Sequence, residues 1–359
     1  MRRYLLPGIT LALVLLAALL LARVPAPLAG VSPAGDGLRV LFLAADQAGR
    51  LQLHSTTPGG ATPAKLTAAP YGVGDYSVAP GGRHIAYSAL RAGGGSDLWL
   101  LARDSGDRRE LLACPNAHCS RPVWHPDGRR LLYERRPLSG ADPSPGPPRL
   151  WWLDPESGET VPLFADEARA GMGARFSAGG RWLAYVVPAS QEIQAYNLES
   201  GRWLSIPSQT GEPPAWHPRE SVLLATDIQV QGERFAVHIL RADLPAGRLH
   251  PLGDQTQTDD GSPSWSPDGQ WIAFGRKVPG VSVGRQLWLM RADGSETVRL
   301  TDDPDSNFGP PAWSPDGRAL LFQRFFLTRA GAPEIWLLDV QTRQLRQVAG
   351  AGYQPAWLP

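Results

Sequence analysis

Cys114, His118 and Cys119 stand together in the stretch CPNAHC. Two thiolates and an imidazole at this spacing could hold zinc, but structural zinc takes four protein ligands and no fourth stands nearby. Outside the cytoplasm the same two cysteines close a small loop as a disulfide, and that is the expectation here. The other chemistry-bearing residues are scattered. His54, His84, His125, His217, His238 and His250 share no motif. The stretch DPDSNFG, Asp303 to Gly309, partly imitates a calcium loop. It lacks a glycine after Asn307 and a glutamate at the twelfth position, so an Asp-rich turn is expected. There is no phosphate loop and no HExxH pair, and no nucleophile elbow is expected. Accordingly no catalytic residue, metal or cofactor is assigned from the sequence.

The elements that would position any site come from a repeated phrase. PSWSPDGQWIAF begins at Pro263 and PAWSPDGRALLF at Pro311. The phrase recurs with drift as SVAPGGRHIAY from Ser77, VWHPDGRRLLY from Val123, RFSAGGRWLAY from Arg175 and AWHPRESVLLA from Ala215. A worn copy, DGLRVLFLA, starts at Asp36. The repeat is about 46 residues long, the period of a β-propeller blade. Ser-Pro-Asp-Gly suits a type I turn, with proline setting φ at the second position and glycine at the fourth. The β-formers after the turn make a second strand. A third carries a central aromatic, as in QLWLM (Gln286–Met290) and EIWLLD (Glu334–Asp339), and a short fourth follows a polar turn. Each repeat therefore reads as strands A, B, C and D. The expected fold is all-β, a seven-bladed propeller of four-stranded antiparallel blades spanning residues 37–359. The C-terminal segment 353–359 supplies the A strand that the first blade lacks, removing an open sheet edge.

The tryptophans follow the same grammar. Trp124, Trp216, Trp265, Trp313 and Trp357 end strand A; Trp99, Trp151, Trp152, Trp288 and Trp336 lie in C; Trp182 and Trp271 in B; Trp203 in D. Aromatics at repeat spacing are expected in the core between blades. His125 and His217 take the place of the turn serine, which points to a structural role.

W-S-P-D-G followed by two apolar residues and an aromatic, ahead of LWLMRADGSETVRLT, resembles the TolB-type (PD-repeat, WD-like) propeller family. The resemblance covers residues 37–359 and implies the fold. That family includes periplasmic assembly proteins and the propeller halves of serine peptidases. Neither an α/β-hydrolase half nor an N-terminal α/β domain is expected here, so the family's partners are not carried over.

Strand alternation puts the A–B and C–D turns on one face and the B–C and D–A connections on the other. The latter are the long ones, including Arg135–Arg149, Arg276–Gln286 and Gln323–Glu334. Long loops on a rigid scaffold are where binding concentrates. By repeat position the candidates at the channel mouth are Asp75, Tyr76, Arg121, Arg175, Glu212, Asp260, Asn307, Phe308, Tyr353 and Gln354. Both charge signs, amides and aromatics are present, which suits a protein or peptide, or a glycan. The alternative is an enzyme, a hydrolase or lyase acting on a saccharide or peptide at that mouth, whose mark would be two carboxylates or three metal ligands converging there.

The chain has 359 residues and a net charge of +1. That is too little charge to suggest nucleic acid as partner. Nearly all cationic residues are arginine, with Lys65 and Lys277 the exceptions. Arg2 and Arg3 precede an uncharged run from Leu5 to Ala22. As a helix the run would span about 27 Å, close to a bilayer's hydrocarbon core. Residues 1–22 are expected to be a signal-anchor or signal-peptide helix, and 23–36 a Pro/Gly/Ala-rich linker. Poor cleavage residues favour a retained single-pass anchor, with the ring outside the cytoplasm. A cleaved form would be periplasmic or secreted.

Overall fold

The computed structural model describes residues 37–138, 145–231, 234–253, 258–281 and 283–359; the side chains of Gln231 and Arg234 are not described. The apolar run 1–22 and the linker 23–36 lie outside the described residues, as do 139–144 of the Arg135–Arg149 loop. Among the described residues no helix is long and apolar enough to cross a membrane.

The described chain is all strand and connection. β1 (Arg39–Ala45), β2 (Leu51–Thr56) and β3 (Ala64–Lys65) form an antiparallel meander. β4 (Val73–Val78), β5 (His84–Leu90), β6 (Ser96–Ala102) and β7 (Arg108–Leu112) form the next. It is followed by β8 (Ala117–Trp124), β9 (Leu131–Pro137), β10 (Arg149–Leu153) and β11 (Thr160–Pro162). Then come β12 (Met172–Phe176), β13 (Trp182–Val187), β14 (Glu192–Asn197) and β15 (Trp203–Pro207). β16 (Ala215–Trp216), β17 (Val222–Gln231), β18 (Arg234–Asp243) and β19 (Arg248–Pro251) follow. β20 (Asp259–Trp265), β21 (Trp271–Lys277), β22 (Gln286–Arg291) and β23 (Val298–Arg299) repeat the pattern. In the last meander β24 (Ser306–Phe308) and β25 (Ala312–Trp313) share the first position, before β26 (Ala319–Phe326), β27 (Glu334–Asp339) and β28 (Leu345–Ala349). The C-terminal β29 (Tyr353–Leu358) pairs with β1, Trp357 opposite Val40.

Every hydrophobic core cluster straddles two successive meanders. Leu53 and Leu43 pack with Ile85 and Tyr87; Leu98 and Ala86 with Leu131 and Tyr133. Leu132 and Leu150 pack with Leu183 and Tyr185; Ile193 and Ile206 with Leu223 and Ala242. Ile239 and Leu224 pack with Ile272 and Phe274; Trp271 and Leu289 with Leu320 and Phe322. Finally Leu321, Ile335 and Leu337 pack against Val40 and Phe42, so the last meander lies on the first. One meander cannot bury both faces alone, and stacking on neighbours supplies the core.

The repeated phrase makes the joints. Ser266 Oγ accepts the Trp271 N–H at 2.9 Å, and Asp268 accepts the Gln270 N–H at 3.0 Å. Gly269 closes the turn at φ +75°. Where histidine replaces serine, His217 Nδ1 accepts the Glu220 N–H at 3.0 Å. The far edge of that ring lies over Gly269 of the next meander, where a Cβ would sit 2.2 Å from Nε2. His125 covers Gly180 in the same way, at 2.4 Å. These turns are thus held both by their own hydrogen bonds and by the neighbouring turn. Three strand-A indoles donate across the same joints: Trp216 to the Arg175 carbonyl (2.9 Å), Trp313 to Ser264 (3.1 Å) and Trp357 to Ala312 (3.1 Å). Each contributes on the order of 1 kcal/mol net. Trp203 departs from the expected core stripe: it is exposed, with the Arg169 guanidinium 4.4 Å over its ring. It sits in an outermost D strand, which no further strand covers.

Candidate functional site

Strand A is broken at a recurring point. The register of β29, β8, β12 and β20 shifts three residues before the terminal aromatic. There Gln354, Arg121, Gly173 and Ser262 adopt positive φ of 51°, 48°, 63° and 51°. Such a bulge frees one N–H from the ladder and re-aims it. In three cases a carboxylate from the preceding meander accepts that N–H. Asp75 takes Arg121 N–H at 2.9 Å, Glu134 takes Gly173 N–H at 2.7 Å, and Glu212 takes Ser262 N–H at 2.6 Å. At Gly173, where the bond is buried, the N–H would otherwise go unpaired, at a cost of about 1–3 kcal/mol. Asp75 and Glu212, expected as ligand-facing residues, are therefore engaged in joining meanders.

Inside these bulges lies a cavity of about 770 Å³. Of the ten residues expected at a channel mouth, Asp75, Tyr76, Arg121, Arg175 and Gln354 line it. The Tyr76 hydroxyl is not free. It lies 2.5 Å from the Gln354 carbonyl and 3.1 Å from that of Leu41, and its burial pushes its pKa well up. The other five residues lie elsewhere. Asp260 is buried in a bidentate pair with Arg276, both contacts 2.7 Å, and serves as an internal ion pair. Phe308 is core, against Phe322. Tyr353 packs on the cluster around Leu43 and Val73. Glu212 pairs with Arg285 at 3.2 Å, and Asn307 accepts the Arg285 N–H at 2.9 Å. Repeat position alone could not separate these, because equivalent positions in different repeats carry different side chains that bury or pair on their own terms.

Glu134, Arg136 and His118 line the cavity and were not anticipated. The signal was available. Glu134 and Arg136 alternate on β9, where β5 carries Ser88 and Leu90 and β13 carries Val186 at the first of the two positions. Glu134 is 2% exposed. Its Oε1 accepts from Gly173 and faces Arg121 Nη1 at 3.5 Å. Its Oε2 has no hydrogen-bond donor among the described residues, with Arg136 Nη2 3.7 Å away. Cys114 and Cys119 are joined in a disulfide, Cα atoms 6.3 Å apart, so the CPNAHC loop is a covalent clip rather than a thiolate pair. The clip carries His118 to the cavity. Ser96 Oγ lies 2.5 Å from both His118 Nδ1 and the Cys119 carbonyl. The carbonyl can only accept, so it takes the serine's one proton and Nδ1 must donate to Oγ. The neutral ring then keeps its lone pair on Nε2. Burial, and next the Arg136 charge, hold His118 below its ordinary pKa.

The cavity's charges do not cancel. Three guanidiniums face two carboxylates. Arg175 hydrogen-bonds only its neighbour's Ala174 carbonyl, at 3.0 Å, and has no carboxylate in ion-pair reach among the described residues. Arg175 keeps an accessible face, but the protein packed around its guanidinium, then the Arg121 charge, pulls its pKa down. Burial pushes Asp75 up to about 6, against bonds from Ser88 and Arg121 that lower it. No group of three His, Cys, Asp or Glu suited to a metal occurs among the described residues. The spacing Gly-X-Ser-X-Gly of a nucleophile elbow occurs at Gly280 to Gly284. It lies between strands β21 and β22 with no helix after it, unlike the strand–serine–helix context of a nucleophile elbow, and Ser282 is outside the described residues.

No family model matches the chain. An uncharacterized protein of Agrobacterium fabrum is 24% identical over 220 residues, 57% of this chain and 70% of that one. Solved structures are closer in shape than in sequence. TolB of Acinetobacter baumannii matches with TM-score 0.56 at 17% identity, over 92% of this chain and 69% of that chain. The β-propeller domain of the Trilobed protease of Pyrococcus furiosus matches with TM-score 0.57 at 17% identity, over 78% and 83%. The chain has the TolB-like β-propeller fold. A puromycin-hydrolyzing peptidase of Mycobacterium tuberculosis matches with TM-score 0.63 at 18% identity, over 94% of this propeller's chain but 54% of the peptidase. The propeller thus has both scaffold and enzyme neighbours.

On the propeller, the cavity opens toward the B–C connections, since Leu90, Arg136 and Pro145 border it. The same connections on the other side of the molecule carry a different surface. β17 and β18 run ten residues each and set Val230 opposite Phe235 at their tip. Val281 and Val283 lie in the next B–C connection, Phe325 and Leu327 at the following one, all exposed. Val283 and Phe325 border one depression of about 460 Å³.

Proposed function

We propose that the chain is a seven-bladed, membrane-tethered propeller that works outside the cytoplasm and binds a protein or peptide on its long-loop face without chemistry of its own. The observation that carries this is the run of exposed apolar side chains on three consecutive B–C connections. Phe235, Val281 and Val283 are 69%, 73% and 74% exposed. Exposed apolar groups gathered on one face mark interaction surfaces. The charged cavity on that face adds a second contact. The apolar run at 5–22, beginning after two arginines, is the tether in this proposal.

A second reading, a hydrolase or lyase, draws on one observation: Asp75, pushed up to about 6, lines the cavity together with Glu134. Against it, both carboxylates already accept a bulge N–H. The test is affinity capture from membranes with the full chain. Phe235→Ser with Val283→Ser should lose the captured proteins, whereas Arg129→Ser on the opposite turn face should keep them. Retention by the tip variant and loss by Arg129→Ser would overturn the proposal.

A further inference from the structure

The cavity has a charge excess, a set of unused donors and an unused acceptor, and these specify a ligand more narrowly than the face does. Arg121, Arg136 and Arg175 carry three positive charges; Glu134 and Asp75 carry two negative ones. His118 sits below its ordinary pKa and adds none at neutral pH. The remainder is one positive charge, suited to a ligand with one negative charge. Arg175 brings five N–H donors and uses one on a described acceptor. The planar guanidinium fork fits a carboxylate in bidentate fashion. Glu134 Oε2 is sealed from the cavity, and the neutral His118 leaves Nε2 as the acceptor for a ligand. A ligand that brings a donor to that nitrogen gains a hydrogen bond there. The walls between these groups are apolar: Pro122, Val123, Met172 and Val186.

We infer that the cavity takes the last residue of a peptide chain, its free carboxylate held by Arg175 and Arg121 and its last amide N–H donated to His118 Nε2. A carboxylate and an N–H within one residue is the chemistry of a peptide C-terminus. The side chain of that residue would lie on the apolar wall, and the preceding residues would leave toward the B–C loops. About 770 Å³ is within the usual range for a small-ligand site. The inference rests on the proposed loop-face binding and names which end of the peptide enters the cavity.

The test uses the full chain and a fluorescent degenerate octapeptide pool, labelled at its N-terminus and prepared as the free acid and as the C-terminal amide. Polarisation should show the free-acid pool binding at least tenfold more tightly. Arg175→Gln and Arg121→Gln should each close most of that gap, and Arg175→Lys should restore part of it. Substituting the Arg121 side chain leaves its backbone bond to Asp75, and thermal melting of each variant confirms that it is folded. Equal binding of the two pools, a gap that survives Arg175→Gln, or no binding of either pool would overturn the inference. So would binding of a hexuronate trisaccharide when neither pool binds. The loop-tip capture experiment is scored separately, so failure here leaves the loop-face proposal to be judged by its own result.

Discussion

Two sectors of the long-loop face are built from the same repeat and do opposite things with it. Around β4, β8 and β12 the bulges surround a cavity rich in arginine, and the B–C side carries Glu134 and Arg136. Around β17 to β27 the equivalent charges are consumed internally. Asp260 locks to Arg276, and Glu212 bridges Ser262 and Arg285. That sector instead raises Val230, Phe235, Val281 and Val283 into solvent. One scaffold position can therefore carry a cavity-lining charge or a structural pair, and what decides is whether a charged partner stands within reach, on the same meander for Asp260 and on the next for Glu212.

The largest effect should come from the consumed charges. Asp260→Ala removes the carboxylate that holds the buried Arg276 guanidinium in a bidentate pair and should cost about 3–5 kcal/mol, read by chemical denaturation. Asp260→Leu with Arg276→Met should recover most of the loss; if Asp260→Ala is neutral, the contrast between sectors fails. Next, Cys114→Ser with Cys119→Ser should lower stability by about 2 kcal/mol through the small closed loop. It should also weaken ligand binding in the cavity sector alone, since the clip carries His118.

A smaller, pH-dependent effect belongs to Asp75. Its folded pKa is raised from 3.8 to about 6, so between those values the folded chain keeps a proton that the unfolded chain has released. Stability from this group is therefore present at low pH and is lost as pH rises to about 6. Denaturation measured from pH 4 to pH 7 should show that decline, and Asp75→Asn should flatten it while the amide oxygen still accepts Arg121 N–H. Smallest of all, Phe235→Ser and Val283→Ser should change stability by less than about 0.5 kcal/mol, as exposed sites do, while reducing partner capture. A large loss of stability in these variants would mean that the tips are packed and not presented.

The fold was readable because its turns are chemical. Ser-Pro-Asp-Gly makes the same hydrogen bonds at Ser266 and Ser314, and the strand after each turn has the expected β-formers. His125 and His217 could be read as serine replacements because they occupy the same slot, and in the structure they cap the same turn. The site was only half legible. Asp75, Arg121 and Arg175 were found by repeat position, but a register shift at the bulge decides which side chains turn inward, and no residue type announces it: Gln354, Arg121, Gly173 and Ser262 all adopt it. Glu134 lies in strand B, outside the strand-A positions that mark a channel mouth in the repeat. The long β17–β18 hairpin escaped because its length comes from an uninterrupted pairing, Val222 opposite Asp243 through Gln231 opposite Arg234, with no motif of its own.

Hydrogen exchange on the full chain, with and without the tightest-binding member of the free-acid peptide pool, tests the central claim most directly. Loop-face binding predicts added protection in β8, in β12 and at the tips of the β17–β18 and β21–β22 connections. Protection confined to the turns at 266–270 and 314–318, on the other face, would contradict it.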